Sequence, residues 1–371
     1  MDGGSIDRDQ GVDVDPPAVE ALATATPAPP VAWEYAAASD FERGGAKLVE
    51  TRRVSTGPLP KSVEVAPDGK TIWVCNFGQV NVDNLWVYDA ETLERIAVVK
   101  FQGNAVETTF SPDGSKAYVS NFKRGVVEEV DRGTYKVLRE FEVGYNPKIM
   151  VPSRDGRWLY VANWSSNDVS VVELASGKTR HRYKTGEHPR GMALHDDGRL
   201  FVNAMYDHQI HVFDDPSAAK GPQTRFETCK YPRHSVLSPE QSRLYVTCSG
   251  ADKVYWYDPE TGRRKGWAKV GDNPRSMAMS ADGRFLAVAD YSSSTVSLVD
   301  VVGGSYRTHE LTGAQKVVGI AMTPGDTESL RVYATSWVTA ELIEMKIEAG
   351  SVRAPRAPTP PEPAPPRAAE P

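Results

Sequence analysis

Residues 144–185 read GYNPKIMVPSRDGRWLYVANWSSNDVSVVELASGKTRHRYKT, and the rest of the chain repeats their pattern. The segment contains four short β-forming runs, which lie at 149–151, 158–162, 169–172 and 178–185. The turn signals Arg154-Asp155-Gly156 and Ser176-Gly177 separate the first run from the second and the third from the fourth. Short β-forming runs joined by tight turns are typical of antiparallel hairpins. The segment therefore predicts one small four-stranded antiparallel sheet.

Seven copies of this pattern follow one another at intervals of 41 to 46 residues. Cys229 opens the fifth copy and a glycine opens each of the others, at Gly57, Gly103, Gly144, Gly186, Gly271 and Gly313. A bulky aromatic residue recurs in the second run of six copies, at Trp73, Tyr118, Tyr160, Phe201, Tyr245 and Tyr333. Four strands per repeat at this spacing indicate the blades of a β-propeller. The sequence thus predicts an all-β, seven-bladed β-propeller of four-stranded antiparallel blades.

The last copy contains only three predicted strands, whereas a spare β-forming run, Lys47–Thr56, precedes the first copy. We predict that this run pairs with Glu341–Ile347 and completes the last blade, because an open ring would leave unpaired strand edges. The composition of the two ends favours disorder, since they lack the apolar residues of a packed core. The predicted organisation is an acidic, Ala/Pro-rich tail at 1–46, the propeller at 47–350 and a Pro-rich tail at 351–371.

The net charge of −6 is unevenly distributed along the 371 residues. Residues 1–46 contain nine acidic and two basic side chains, and residues 47–350 carry no net charge. A neutral globular region argues against a basic nucleic-acid-binding protein. No apolar run reaches the roughly 18 residues of a membrane helix, so we expect no transmembrane segment.

The N-terminal residues lack the charged-then-apolar pattern of a secretory signal. An acidic, Ala/Pro-rich leader is nevertheless similar to the spacer that follows a cleaved export signal. We therefore expect a periplasmic or extracellular protein, with a cytoplasmic location as the alternative.

Related tetrapeptides end the second run of three copies: YVSN at 118–121, YVAN at 160–163 and YVTC at 245–248. With the preceding Asp-Gly turn and the following Val-Ser-Val-Val run, they resemble the YVTN-type repeat of seven-bladed, quinoprotein amine dehydrogenase-like propellers. The resemblance extends over about residues 47–350. The Gly-His and Trp-Asp pairs of WD40 blades are absent. The resemblance implies the fold and leaves the function open, because propellers perform many unrelated tasks.

Two repeat positions are expected to converge on one end of the central channel. The position after the proline that precedes the first run is mostly cationic, and its residues are Lys61, Glu107, Lys148, Arg190, Arg233, Arg275 and Val317. The position after the YVAN motif is mostly aromatic, and its residues are Phe77, Phe122, Trp164, Met205, Ser249, Tyr291 and Trp337. Cations in a concave site and stacking aromatic faces suit an anionic or flat ligand. The structural alternative is that the cations bind neighbouring carbonyls and the aromatic rings pack between blades.

His188 and His234 lie beside two of these cations and complete the predicted ligand-binding set. Cys229 and Cys248 fall in the same sector, where they could form a disulfide or remain free thiols. Two histidines and two cysteines could also bind zinc or copper, but they lack the short, rigid spacing of a metal motif. The sequence contains no phosphate loop, nucleophile elbow or haem-attachment motif. We therefore expect no metal and no cofactor.

The favoured functional hypothesis is a non-catalytic, monomeric binding protein that holds an anionic small molecule, peptide or polymer at the channel mouth. No nucleophile is visibly paired with a base, which favours this hypothesis over catalysis. The alternative is an enzyme or enzyme subunit on the same fold, either lactonase- or lyase-like or a quinone- or haem-linked oxidoreductase. His188, His234 and Glu107 would then supply acid–base groups, and the cations would stabilise an oxyanion. A third hypothesis, single-stranded nucleic acid stacked on the aromatic positions, disagrees with the neutral charge.

Overall fold

The computed structural model describes residues 41–218, 220–325 and 329–348, and these ranges contain strands but no helix. No helix that could cross a membrane is therefore found among them. Residues 1–40 and 351–371, to which most of the two predicted tails belong, lie outside the described residues. The repeats form seven antiparallel sheets, and the first strand of each repeat contacts the first strands of both neighbouring repeats. The predicted all-β, seven-bladed propeller is confirmed.

Two strands precede the repeats, β1 (Glu42–Arg43) and β2 (Lys47–Ser55). Blade 1 contains β3 (Pro60–Val65), β4 (Thr71–Asn76), β5 (Leu85–Asp89) and β6 (Arg95–Val99). Blade 2 contains β7 (Ala105–Phe110), β8 (Lys116–Asn121), β9 (Val126–Asp131) and β10 (Lys136–Glu142). Blade 3 contains β11 (Pro147–Pro152), β12 (Trp158–Asn163), β13 (Asp168–Glu173) and β14 (Lys178–Lys184). Blade 4 contains β15 (Pro189–Leu194), β16 (Leu200–Ala204), β17 (Gln209–Phe213) and β18 (Thr224–Glu227).

Blade 5 contains β19 (Pro232–Leu237), β20 (Leu244–Cys248), β21 (Lys253–Tyr257) and β22 (Arg264–Lys269). Blade 6 contains β23 (Pro274–Met279), β24 (Phe285–Asp290), β25 (Thr295–Asp300) and β26 (Ser305–Glu310). Blade 7 contains β27 (Val317–Met322), β28 (Arg331–Ser336) and β29 (Glu341–Glu348). The first strand of each blade lines the central channel.

Strand β2 supplies the outer strand of blade 7 and closes the ring. It pairs antiparallel with β29, from Lys47 opposite Glu348 to Ser55 opposite Glu341. The predicted pairing of the early run with the last one is confirmed. The first and last blades are thus joined by strands from opposite ends of the repeat region.

The folded region begins upstream of residue 47. Strand β1 pairs in parallel with β26, and the Phe41 ring lies 5.0 Å from the Trp256 ring, centroid to centroid. Residues 41–46 therefore belong to the propeller and not to the predicted tail. A two-residue strand on the outer edge of a blade has no periodicity that a sequence could reveal, although it covers an otherwise open edge.

The hydrophobic core is divided among the spaces between adjacent blades. Trp73 of blade 1 is fully buried and lies 5.6 Å from Phe110 of blade 2, between ring centroids. Tyr160 of blade 3 packs in one cluster with Met192 and Leu200 of blade 4. Complete burial of one large apolar side chain stabilises the fold by about 1.5–3 kcal/mol. Each blade obtains this burial from its neighbours, so no blade is expected to be stable alone.

Candidate functional site

One hydrogen bond in each blade joins the two loops that form the channel mouth. The N–H of the residue after the second strand donates to the carbonyl of the residue before the first strand. The N–O distance is 3.0 Å from Phe77 to Leu59 and 3.1 Å from Trp164 to Asn146. The bond holds the mostly aromatic position of each blade close to the position from which the inner strand starts.

The residue before the inner strand has a left-handed backbone in six blades, with φ between 51° and 62° at Leu59, Asn146, His188, Tyr231, Asn273 and Lys316. All of these residues except Lys316 precede a proline, and a residue before proline normally adopts an extended conformation. Each left-handed residue therefore costs about 1–3 kcal/mol, which the surrounding structure must offset. This turn directs the chain from the mouth into the channel.

The cationic position follows directly after this turn. Lys61, Lys148, Arg190, Arg233 and Arg275 each succeed a proline that pairs with the last residue of the second strand. All five side chains are buried or half-buried.

The register corrects the predicted membership of this position in two blades. Ala105 pairs with Asn121, and Val317 pairs with Ser336, so Val106 and Val318 occupy the cationic position. Glu107 lies one residue further along β7, at the repeat position that His234 occupies in β19. Blade 2 has no proline before its inner strand, and this missing marker caused the error of one residue.

A small cavity lies where the inner strands converge. This channel cavity has a volume of about 30 Å³, and its polar lining includes Arg190, Arg233, Arg275, Glu64, Glu107 and His234. Lys61 lies beside it, with its Nζ 4.0 Å from Glu107 Oε1. Residues from five blades therefore meet in one buried polar space.

The three guanidinium groups have no carboxylate partner within 4.0 Å among the described residues. The Nε–H groups of Arg233 and Arg275 are buried and donate to no acceptor among the described residues. Burial lowers the pKa of Arg190, and burial with repulsion by Arg190 lowers the pKa of Arg275 to about 10. Guanidinium groups remain charged under such shifts. The cavity therefore concentrates positive charge and N–H donors that lack acceptors.

The His234 imidazole is neutral at physiological pH. Burial, reinforced by the positive charge of Arg190, lowers its pKa to about 4. Its Nδ1 accepts a hydrogen bond from the Met277 N–H at 3.0 Å. The ring proton consequently lies on Nε2, which makes His234 a hydrogen-bond donor in the cavity.

Glu64 is a cavity residue that the sequence interpretation missed. Burial, reinforced by the nearby charge of Glu107, raises its pKa to about 8. Glu64 is therefore mostly protonated at neutral pH. The available sequence signal was a glutamate inside the inner strand Pro60–Val65, because charged residues are rare in buried strands.

Most of the predicted aromatic residues lie in one row of rings around part of the mouth. Successive ring centroids are 4.7 to 5.7 Å apart, except that Lys148 separates Phe122 from Trp164. The row, here called the aromatic arc, runs through Trp337, Phe77, Phe122, Trp164, His188, Tyr206 and Tyr231.

Cations lie against several of these rings. Lys148 Nζ is 4.2 Å from the Phe122 centroid and 4.6 Å from the Trp164 centroid. Tyr291 lies apart from the arc and stacks on the Arg275 guanidinium at 3.3 Å. Such cation–π contacts stabilise a buried cation without neutralising it.

The two predicted histidines have different positions. The His188 ring belongs to the aromatic arc, between Trp164 and Tyr206, whereas His234 lines the channel cavity. Only His234 is therefore placed beside the guanidinium groups.

Cys229 and Cys248 form a disulfide, and their Cα atoms are 5.7 Å apart. These sulfurs are consequently unavailable as thiolate ligands, which removes the zinc or copper site that the sequence suggested around them. Cys75 is buried, and burial raises the pKa of its thiol to about 12. Its Sγ lies 3.1 Å from Thr108 Oγ1, in the packing between blades 1 and 2.

The chain is similar to known proteins in two comparisons. Residues 109–265, which are fewer than half of the chain, match the model of a family described as lactonase, 7-bladed beta-propeller. Among solved structures, Kuenenia stuttgartiensis hydrazine synthase is similar, with a TM-score of 0.68 and 17% identity over 82% of this chain and 99% of that one. At this identity the likeness shows the fold alone. No curated protein matches the sequence.

The family match bears on the functional hypotheses. The family is named for an enzyme activity, and the matched residues include Lys148 at the mouth and Arg190, Arg233 and His234 in the channel cavity. The hypothesis of a non-catalytic binding protein was wrong by this comparison, and the alternative, an enzyme-related propeller, is favoured. Over its central blades, the chain is therefore similar to a lactonase family.

Proposed function

We propose that this protein is an enzyme that hydrolyses a small anionic lactone at the channel mouth. The main observation behind the proposal is the lining of the channel cavity, where three unpaired guanidinium groups meet Glu107, Glu64 and His234. The similarity of residues 109–265 to a lactonase family supports the same reaction. The positive mouth would also raise the local concentration of a negatively charged substrate.

Lactone hydrolysis requires a water molecule to attack the ester carbonyl carbon. In the proposed mechanism Glu107 accepts a proton from this water as the new C–O bond forms. The carbonyl oxygen becomes an oxyanion, which Arg190, Arg233 and Arg275 stabilise together with His234 Nε2–H. Donors fixed in a buried site act strongly on such a charge, because they need no reorganisation during the reaction.

The ring opens when the bond between the carbonyl carbon and the ring oxygen breaks. The departing oxygen needs a proton, and protonated Glu64 can donate it. Glu107 then passes the proton that it took from water to Glu64, and both carboxyl groups return to their starting protonation states. Burial raises the pKa of Glu64 to about 8, so this carboxyl group holds a proton at neutral pH and can act as the acid.

The aromatic arc would bind the part of the substrate that does not react. Its rings are half-buried, apart from the exposed Tyr206, and they offer flat apolar surface next to Lys148. Burial of Lys148, with repulsion from Arg190, lowers the pKa of its ammonium group. A lactone ring or its substituent could lie on this surface while its carbonyl reaches the guanidinium groups.

The test is release of acid from a panel of γ- and δ-lactones, with and without a carboxylate or phosphate substituent. Glu107→Gln should lower kcat by about 10²- to 10⁴-fold, the range for loss of a general base. Glu94→Gln, on an exposed turn of blade 1, is the matched control and should retain full activity. Failure of the wild type to hydrolyse any of these lactones would refute the proposed function.

We further propose that the protein is an exported, monomeric propeller of the YVTN type. The tetrapeptides at 118–121, 160–163 and 245–248 support the repeat type. The disulfide between Cys229 and Cys248 supports export, because disulfides persist mainly in oxidising compartments. Cell fractionation, mass analysis of the unreduced protein and sedimentation would test these points. Recovery of the native protein with reduced cysteines in the cytoplasm would contradict export.

A further inference from the structure

The channel cavity has an imbalance of charge. Arg190, Arg233 and Arg275 line it, whereas its acidic lining residues are Glu107 and Glu64, and burial raises the pKa of Glu64 to about 8. The Lys61 amino group lies next to Glu107, and burial with repulsion from Arg190 lowers its pKa. A buried excess of positive charge is unfavourable unless an opposite charge accompanies it.

The cavity also has an excess of donors. The Nε–H groups of Arg233 and Arg275 are buried without a partner. His234 adds its Nε2–H, since its Nδ1 already accepts from Met277. Buried polar groups in native proteins are almost always hydrogen-bonded. The donors therefore call for a species that accepts several hydrogen bonds.

The volume restricts what this species can be. About 30 Å³ is enough for roughly two water-sized positions, each of which needs about 10–15 Å³. A whole organic substrate does not fit in this volume, so no more than the reacting carbonyl of a lactone could enter the cavity. Water would satisfy the donors, but only an anion would also offset the charge.

We propose that the channel cavity binds a small inorganic anion of about the size of chloride, held by Arg190, Arg233 and Arg275. Binding requires only the cavity, so it does not depend on lactone hydrolysis. A second consequence rests on the proposed function: the anion and the substrate oxyanion would use the same guanidinium groups. Chloride would then inhibit hydrolysis competitively.

The binding test measures the thermal unfolding midpoint of the full chain in sodium chloride, sodium bromide and sodium gluconate at constant ionic strength. A ligand that binds only the folded state raises this midpoint in a saturable manner. We expect saturable stabilisation by chloride and bromide and none by gluconate, which is too large for the cavity.

Arg233→Met should weaken the apparent chloride affinity at least tenfold. In gluconate this variant should be at least as stable as the wild type, because one of three mutually repelling charges is gone. Arg225→Met, on the exposed outer strand β18, is the matched control and should retain the wild-type chloride response. Crystals of the wild type soaked in bromide should show an anomalous peak between the three guanidinium groups, and this measurement does not depend on any variant folding.

Equal midpoints in chloride and gluconate, together with no bromide peak in the cavity, would overturn the proposal. Anion binding by a protein that hydrolyses no lactone would retain the anion site and refute the proposed function. Lactone hydrolysis by a protein without an anion peak would support the proposed function and refute the anion site. The two proposals can therefore fail separately.

Discussion

The Arg52 guanidinium donates two hydrogen bonds to the Glu344 carboxylate, at 2.7 Å from Nε to Oε2 and 2.6 Å from an Nη to Oε1, across 292 residues of sequence. Glu344 is fully buried, and the Thr51 hydroxyl donates to the same carboxylate at 2.6 Å. The contact joins β2 to β29 at the point where the ring closes. Closure thus relies on a buried charge pair as well as on backbone pairing.

Arg52→Met is expected to lower the free energy of unfolding by about 1–3 kcal/mol. Loss of one partner from a buried pair costs about 3–5 kcal/mol, but Arg52 is a third exposed and Arg331 remains near Glu344. Lys47→Met is the matched control, because it removes an exposed pair with Glu348 on the same strand and should cost under about 1 kcal/mol. Equal denaturant midpoints for the two variants would contradict a role of Arg52 in closure.

Asp290 should make stability depend on pH. Burial raises its pKa to about 7, and Ser297 Oγ and Thr295 Oγ1 donate to its Oδ2 while Oδ1 has no partner. Between about pH 4 and pH 7 the folded state binds the proton and the unfolded state releases it, so stability falls as pH rises. Above about pH 7 both states have lost the proton, and the loss of stability reaches its full value.

Asp290→Asn should therefore stabilise the protein at pH 8 by about 2–4 kcal/mol and have little effect below pH 4. Asparagine occupies the same position in blade 3, where Asn163 donates to the Ser170 hydroxyl. Chemical denaturation at several pH values measures the difference. Asp214→Asn, at an exposed position, should follow the wild-type curve, and a pH-independent effect of Asp290→Asn would exclude this explanation.

Glu64 should set the alkaline limit of catalysis. Because its pKa is about 8 and the protonated form donates to the leaving oxygen, kcat/KM should fall as pH rises through about 8. Glu64→Gln should remove this limb of the profile and lower kcat about 10²-fold or more. An unchanged pH profile in Glu64→Gln would show that another group titrates there.

Trp164 should determine substrate affinity and not the chemical step. Its ring lies 4.6 Å from Lys148 Nζ and 5.1 Å from the His188 ring, at the middle of the aromatic arc. Trp164→Leu should raise KM about 5- to 30-fold with kcat within about 3-fold, since about 1–2 kcal/mol of stacking is lost in the ground and transition states alike.

Trp267→Leu provides the matched control for this prediction. Trp267 is also stacked by a lysine, with Lys253 Nζ 3.9 Å from the ring, but it lies on the outer strand β22 away from the mouth. Its replacement should leave KM unchanged. A fall in kcat with constant KM in Trp164→Leu would place the ring in the chemistry and contradict its role in binding.

The cationic and aromatic positions were predictable because each recurs once per repeat, and a propeller brings equivalent positions together. Five cations and five aromatic residues were assigned correctly to these positions. Glu107 was displaced by one residue because blade 2 lacks the proline that marks the strand start. His188 and His234 looked equivalent in the sequence, yet one belongs to the aromatic arc and the other to the cavity.

The amino-acid sequence by itself determined the number of blades, the phase of their strands and the closure by Lys47–Thr56, because repetition and alternating hydrophobicity are properties of a linear pattern. Only the tertiary structure decided that Glu64, Glu107 and His234 meet the three arginines. These six residues come from five different blades, and the pKa values of Glu64, His234 and Arg275 follow from burial and from nearby charges. Such interactions depend on distances in space, which a repeat pattern does not contain.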